Sequence, residues 1–204
     1  LARQKTARVK DKWREKKWVT VLAPPAFNNV PIAYLPITND TSAIGRVMEV
    51  TLFDIIKGDP SQHQFKLYFQ IKKVEGETAT TIFKRFEYAK EFLRSLVRRG
   101  SSLINFIGDY RTKDGHTFRI KIIALTQKKL NTSRKHALRL IAREVMAKTI
   151  PEMTIDQFIQ ATAFGKINSD IMAAIKKIIR VRHVGIEKAK IIRSAEAEIT
   201  LLQA

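Results

Sequence analysis

The sequence contains no cysteine, which excludes disulfides, thiolate metal sites and cysteine nucleophiles together and makes an intracellular protein the natural reading. No apolar run approaches the roughly 20 residues that a membrane helix needs. The opening stretch, "LARQKTARVKDKWREKKW", lacks the apolar centre of a secretory leader, and it begins without Met, as a trimmed piece would. The glycines, at 45, 58, 76, 100, 108, 115, 165 and 185, form no G-x-G pair and no phosphate-binding loop. There is no H-E-x-x-H motif, and His63, His116, His136 and His183 are too scattered for metal-ligand spacing. Asp109 and Asp114 bracket a hairpin, where an Asp serves the turn far more often than catalysis. No enzyme, cofactor, metal, small-molecule substrate or membrane span is therefore expected. Acid is also missing from one short segment. "TQKKLNTSRKHALR", residues 126 to 139, holds five Lys and Arg side chains, one His and no carboxylate.

What the chain has is positive charge: a formal +19 over 204 residues, with a pI near 10.3. Such a balance points to a polyanion, nucleic acid ahead of an acidic membrane surface. The excess is unevenly placed. Residues 1–19 carry eight Lys and Arg against two acids, residues 20–110 eleven against nine, and residues 111–150 eleven against two. An ordinary near-neutral domain thus lies between a basic arm and a basic central segment. Residues 1–17 are too poor in aliphatics to offset chain entropy by burial, so they are expected to be ordered by a partner. Residues 18–193 are read as one domain and 194–204 as a tail. Trp13 and Trp18 are interleaved with Lys12, Arg14, Lys16 and Lys17. Trp18 adjoins the strand-like "WVTVLAP" and is assigned to the core, whereas Trp13 is open to stacking on bases or capping the core.

From Trp18 to Leu125 the pattern is mostly β. "GRVMEVTLFDI" (45–55) alternates as a strand with two buried faces. "FKLYFQIKKV" and "TATTIFKRF" flank Gly76 as a hairpin, and "SLINFIGDYRT" and "HTFRIKIIAL" flank an Asp114-Gly115 turn of type I′. Phe118, Ile120, Ile122 and Ala124 share one face of the last strand. "YAKEFLRSLVRRG" (88–100) reads as a helix closed by Gly100, with Lys90, Arg94 and Arg98 at i, i+4 and i+8. A basic helix follows over 133–149, with Ser133 as N-cap and Pro151 beyond its end. Its apolar face is Leu138, Ile141 and Val145, and Lys135, Arg139 and Arg143 form a stripe whose repulsion no nearby acid relieves. Short helices are expected at 154–164 and 171–180, and 181–193 reads as extended or irregular and basic. The fold class is α+β, a mostly antiparallel core with flanking helices.

The candidate binding residues are Lys12, Arg14, Lys16 and Lys17 in the arm, and Lys128, Lys129, Arg134, Lys135, Arg139 and Arg143 around the central segment. In the second group Lys128 and Lys129 leave a strand, "LNTS" redirects the chain, and Arg134 and Lys135 open the next helix. Exposed amides there favour an anion, and His136 adds charge beside a phosphate. Two rivals are weaker. A free-standing DNA- or chromatin-binding module should show a recognition helix or dimer seam, and neither is found. An RNA-processing enzyme needs the catalytic cluster that is absent.

Five stretches carry a resemblance: "KKWVTVLAPPAFNNVPIA", "GRVMEVTLFDI", "RTKDGHTFRIKIIALT", "NTSRKHALRLIAREVM" and "NSDIMAAIKKIIRVRHVGIEKAKII". In this order and spacing, from Trp13 to about Ile192, the chain resembles the archaeal and eukaryotic small-subunit ribosomal protein family called S-three-A-e, or eukaryotic-type S-one. Departures are mild, Thr51 and Ile55 standing where Ser and Leu are common. The resemblance implies a barrel- or sandwich-like antiparallel β core with helices, on the small-subunit platform. It also implies small-subunit rRNA and neighbouring platform proteins as partners, with messenger RNA near the exit site as a further one. It carries over no catalytic residue.

Overall fold

The computed structural model describes residues 13–194; most of the expected arm, including Lys12, and residues 195–204 of the expected tail lie outside them. Strands form where apolar residues alternate. They are β1 (Lys17–Leu22), β2 (Pro31–Ile37), β3 (Val47–Thr51), β4 (Phe65–Glu75), β5 (Thr78–Tyr88), β6 (Leu103–Arg111), β7 (Thr117–Thr126) and β8 (Val181–Arg193). Helices are α1 (Asp40–Ala43), α2 (Leu52–Ile56), α3 (Lys90–Leu96), α4 (Thr132–Thr149), α5 (Ile155–Ala163) and α6 (Lys166–Lys176). One eight-stranded sheet runs β2-β1-β5-β8-β7-β6, with β4 on the other edge of β5 and β3 beyond it. Every pairing is antiparallel except β1 with β5, which run parallel at Thr20–Thr78 and Val21–Ala79. The sheet is open, so the α+β, mostly antiparallel expectation stands while the barrel closure does not.

One face of the sheet is apolar because it gathers Leu67, Phe69, Phe83, Phe86, Phe118 and Ile120, all buried; they alternate along β4 and β7, and a bulge in β5 brings Phe83 and Phe86 to the same face. Helices α4 to α6 cover this face with Leu138, Met146, Phe158, Ile167 and Ile171, and the rings of Phe118 and Phe158 lie 4.6 Å apart. A smaller cluster of Val19, Val21, Ile37, Ala43, Ile71 and Ala79 fills the space beside β1 and β2.

Several expectations need correction. Trp18 is 61% exposed rather than in the core: Val19 and Val21 take the inward positions of β1, and period-2 alternation turns Trp18 out. The strand expected over 45–55 stops at Thr51, where Thr51 and Asp54 form a capping box that starts α2. Only Val50 of β3 is buried, so it is a half-exposed edge strand. The turn at Asp114-Gly115 is not type I′, which needs positive φ at both central residues. Only Gly115 has it, at +85°, and the Gly115 N–H donates to the Thr112 carbonyl at 3.0 Å, making a three-residue loop. Helix α3 ends at Leu96 rather than at Gly100, leaving Arg98 outside it. Asn131, not Ser133, occupies the N-cap of α4, and α6 begins at Lys166, five residues before the expected start. The segment 181–193 is, as expected, extended: it is an inner strand paired to both β5 and β7, with three register shifts against β7.

Candidate nucleic-acid interface

The acid-free segment spans the exit from β7 and the first half of α4. The turn between them is held from below. The buried Thr126 hydroxyl accepts from the Ser102 N–H at 3.1 Å and donates to the Lys128 carbonyl at 2.7 Å. The Ser102 hydroxyl accepts from the Leu130 N–H at 3.0 Å. With the backbone fixed in this way, Lys128, Lys129 and Arg134 project as exposed side chains. Helix α4 buries Leu138, Ala142 and Met146, with Ile141 and Val145 packed at the margin. That face is broader than the three residues expected, because Ala142 and Met146 widen it around the helix.

The basic stripe leans on β6, the end strand of the sheet. Lys135 is half-buried, whereas Arg139 and Arg143 are exposed. The Arg139 guanidinium donates through Nε to the Asn105 carbonyl at 3.2 Å, and that of Arg143 lies 5.6 Å from the centre of the Phe106 ring. A groove of about 710 Å³ opens beside it, lined by Phe106, Gly108, Tyr110, Arg143 and Pro151. Burial pushes the Tyr110 hydroxyl to hold its proton more tightly, against the pull of Arg143, and it has no hydrogen-bond partner among the described residues. The two arginines of the stripe are thus steered by β6 through their guanidiniums while remaining exposed.

The arm residues behave differently. Lys16 stands over the Trp13 ring with its Nζ 3.6 Å from the centroid, Lys17 pairs with Asp40 at 2.7 Å, and Arg14 is exposed. These residues adjoin β1, while α4 packs on β6 at the far end of the strand order, so the two basic groups are not brought together. A third group of cations escaped the sequence reading: Lys84, Arg85, Arg119, Lys121, Lys188 and Lys190, on the face of the sheet away from the helices. The signal was their i, i+2 spacing in "FRIK" and "EKAK", which directs cations to one side of a strand.

Other chemistry is structural. Asp109 receives two bonds from Arg119 at 2.8 Å, and these hold its carboxyl below the usual range. Asp114 accepts from the Ile155 N–H at 2.6 Å. Among the described residues there is no cluster of metal-ligating side chains, and no helix is long and apolar enough to cross a membrane.

Comparison with known proteins identifies the family. The Ribosomal S3Ae family matches residues 4–195. The chain is 44% identical over 184 residues to small ribosomal subunit protein eS1 of Desulfurococcus amylolyticus, covering 90% of this chain and 86% of that one. Identity to the eS1 protein of Staphylothermus marinus is 43% over 191 residues, covering 94% and 89%. For that of Saccharolobus islandicus it is 41% over 188 residues, covering 92% and 90%. A family match across nearly the whole chain, with relatives at 41–44% identity, means that the chain belongs to the Ribosomal S3Ae family, whose members are structural proteins of the ribosome rather than enzymes.

Proposed function

We propose that this protein is a structural constituent of the small ribosomal subunit, bound to the ribosome in the cytoplasm, and that it supports translation by holding small-subunit rRNA on the platform. The observation that carries this reading is the acid-free segment 126–139, whose turn is pinned from beneath while Lys128, Lys129 and Arg134 are exposed. In this reading Lys128, Lys129, Arg134, Lys135, Arg139 and Arg143 clamp rRNA phosphates. Lys12, Arg14, Lys16 and Lys17 add contacts from an arm, residues 1–17, that a partner orders. Residues 18–193 are the binding domain and 194–204 its tail. Neighbouring platform proteins and messenger RNA near the exit site complete the partners. Contacts should be to the backbone, since the deep major groove of A-form RNA is closed to side chains.

The test is the triple variant Lys135→Gln, Arg139→Gln, Arg143→Gln. Loss of three phosphate contacts should weaken rRNA binding by several kcal/mol, at on the order of 1 kcal/mol each. Incorporation into small subunits should fall while the free protein still melts cooperatively. The fold loses the exposed Arg139 bond to Asn105 and the Arg143 contact with the Phe106 ring, each contributing about 1 kcal/mol or less. Normal incorporation of the triple variant would show that the stripe faces solvent.

A further inference from the structure

The face of the sheet away from the helices, which no described element covers, arranges charge in rows that cross the strands. One row passes through six of them: Glu49, Tyr68, Arg85, Lys190, Arg119 and Asp109 each stand opposite the next. The adjoining row runs Lys66, Glu87, Lys188, Lys121 and Ile107. Residues directly opposite on one face lie roughly 4.5–5.5 Å apart at Cβ, and like charges so placed repel. Arg85, Lys190 and Arg119 are three cations abreast.

The acids on this face are already engaged. Glu49 pairs with Lys66 at 2.7 Å, and Glu87 lies 3.2 Å from Arg85 and 3.6 Å from Lys188. Glu187 pairs with Lys121, and Asp109 with Arg119, each at 2.8 Å. Arg85 also stacks on Tyr68, 3.9 Å from the ring centre. Lys190, exposed and central in its row, has no partner among the described residues, and neither has Lys84. These two line both grooves that open on this face, each of about 440 Å³. One groove also holds Arg119, Lys121 and Ile192, the other Tyr68 and Arg85. Unneutralised charge therefore sits where two grooves meet, beside guanidiniums already oriented by their acids.

We propose that this face is a second RNA-backbone site, separate from α4, in which Lys84 and Lys190 meet phosphate oxygens and Arg85 and Arg119 flank them. The assignment rests on RNA being the partner of the chain. A grooved sheet face that no described element covers suits a backbone that repeats its charge, and guanidiniums match phosphate geometry. The four carboxylates on the face are each paired with a cation already, so the charge left over is that of Lys84 and Lys190, and RNA, the polyanion expected to bind this chain, supplies the repeating anions that meet it.

The experiment titrates the full chain against purified small-subunit rRNA of Staphylothermus marinus over a range of salt. Five proteins are compared: the parent, the Lys84→Gln/Lys190→Gln double variant, Lys190→Gln alone, Lys190→Arg and the α4 triple variant. The double variant should bind about tenfold or more weakly at moderate salt, and its slope of log affinity against log salt should shrink by about 1 to 2. Lys190→Arg, which keeps the charge, should bind like the parent, and Lys190→Gln alone repeats the measurement with the smallest change. If only the triple variant weakens, the sheet face is not an RNA site and the α4 clamp stands. If only the double variant weakens, the reverse holds. If neither does, both sites fall. Retained RNA binding with lost binding to polyglutamate would overturn the proposal in favour of an acidic protein partner.

Discussion

Gly185 shows how a single missing side chain fixes the inner packing. It lies within β8 opposite Ile123, and a Cβ there would overlap the Tyr88 hydroxyl. That hydroxyl accepts from Asn168 Nδ2 at 3.5 Å, and Asn168 Oδ1 accepts from the Ile186 N–H at 3.0 Å. Three elements, β5, α6 and β8, meet at this point, and burial holds the Tyr88 proton far above its ordinary range. Gly185→Ala should destabilise the protein by about 1–3 kcal/mol through overpacking, read as a lowered denaturant midpoint. An isolated glycine in a strand already signals close approach by something. What approaches is set by the tertiary fold, so Tyr88 was not legible beforehand.

Asp114 works between elements. Its carboxylate caps the first amide of α5, and the neighbouring Lys113 N–H donates to the Met153 carbonyl at 3.0 Å, so the β6–β7 loop is docked onto the start of that helix. Asp114→Ala should cost about 1 kcal/mol and speed hydrogen exchange in the first turn of α5 more than in β4 or β5. At this scale the local signals were the readable ones. Both hairpins, the apolar face of β7 and the body of α4 follow from spacing and turn residues. Helix α3 stops short because Val97 is extended, despite the helical pattern continuing to Gly100. Strand β8 was obscure because its register shifts beside Ile186, so that Val184, Gly185 and Ile186 are all buried and the alternation breaks. The α4 stripe was legible as i, i+4, i+8. A row through β3, β4, β5, β8, β7 and β6 exists only once those strands are assembled, and no linear spacing announces it.

At the scale of the whole molecule, the pattern of shifted groups sets the response to acid. Burial, aided by Arg182, keeps His183 from taking a proton as readily as an unfolded histidine does. Its contribution is therefore complete above the unfolded value of about 6.5 and is lost as pH falls below it. Glu49 is held down by its bond from Lys66, and Asp109 by that from Arg119. Their contributions are complete above the unfolded carboxylate range near about 4 and vanish as pH falls through the lower folded values. All three act in the same direction. The melting temperature should be level from about pH 7 to 8, then fall in two stages on acidification, and His183→Gln should remove the first stage while sparing the second. The order of strands has a further consequence, for how the protein is made. β8 is the last described strand in sequence yet lies between β5 and β7 in space. A nascent chain that has not yet supplied residues 181–193 is a sheet with an open slot, and the two raw edges of that slot invite pairing with other chains. Maturation is therefore decided late, when the final strand fills the slot.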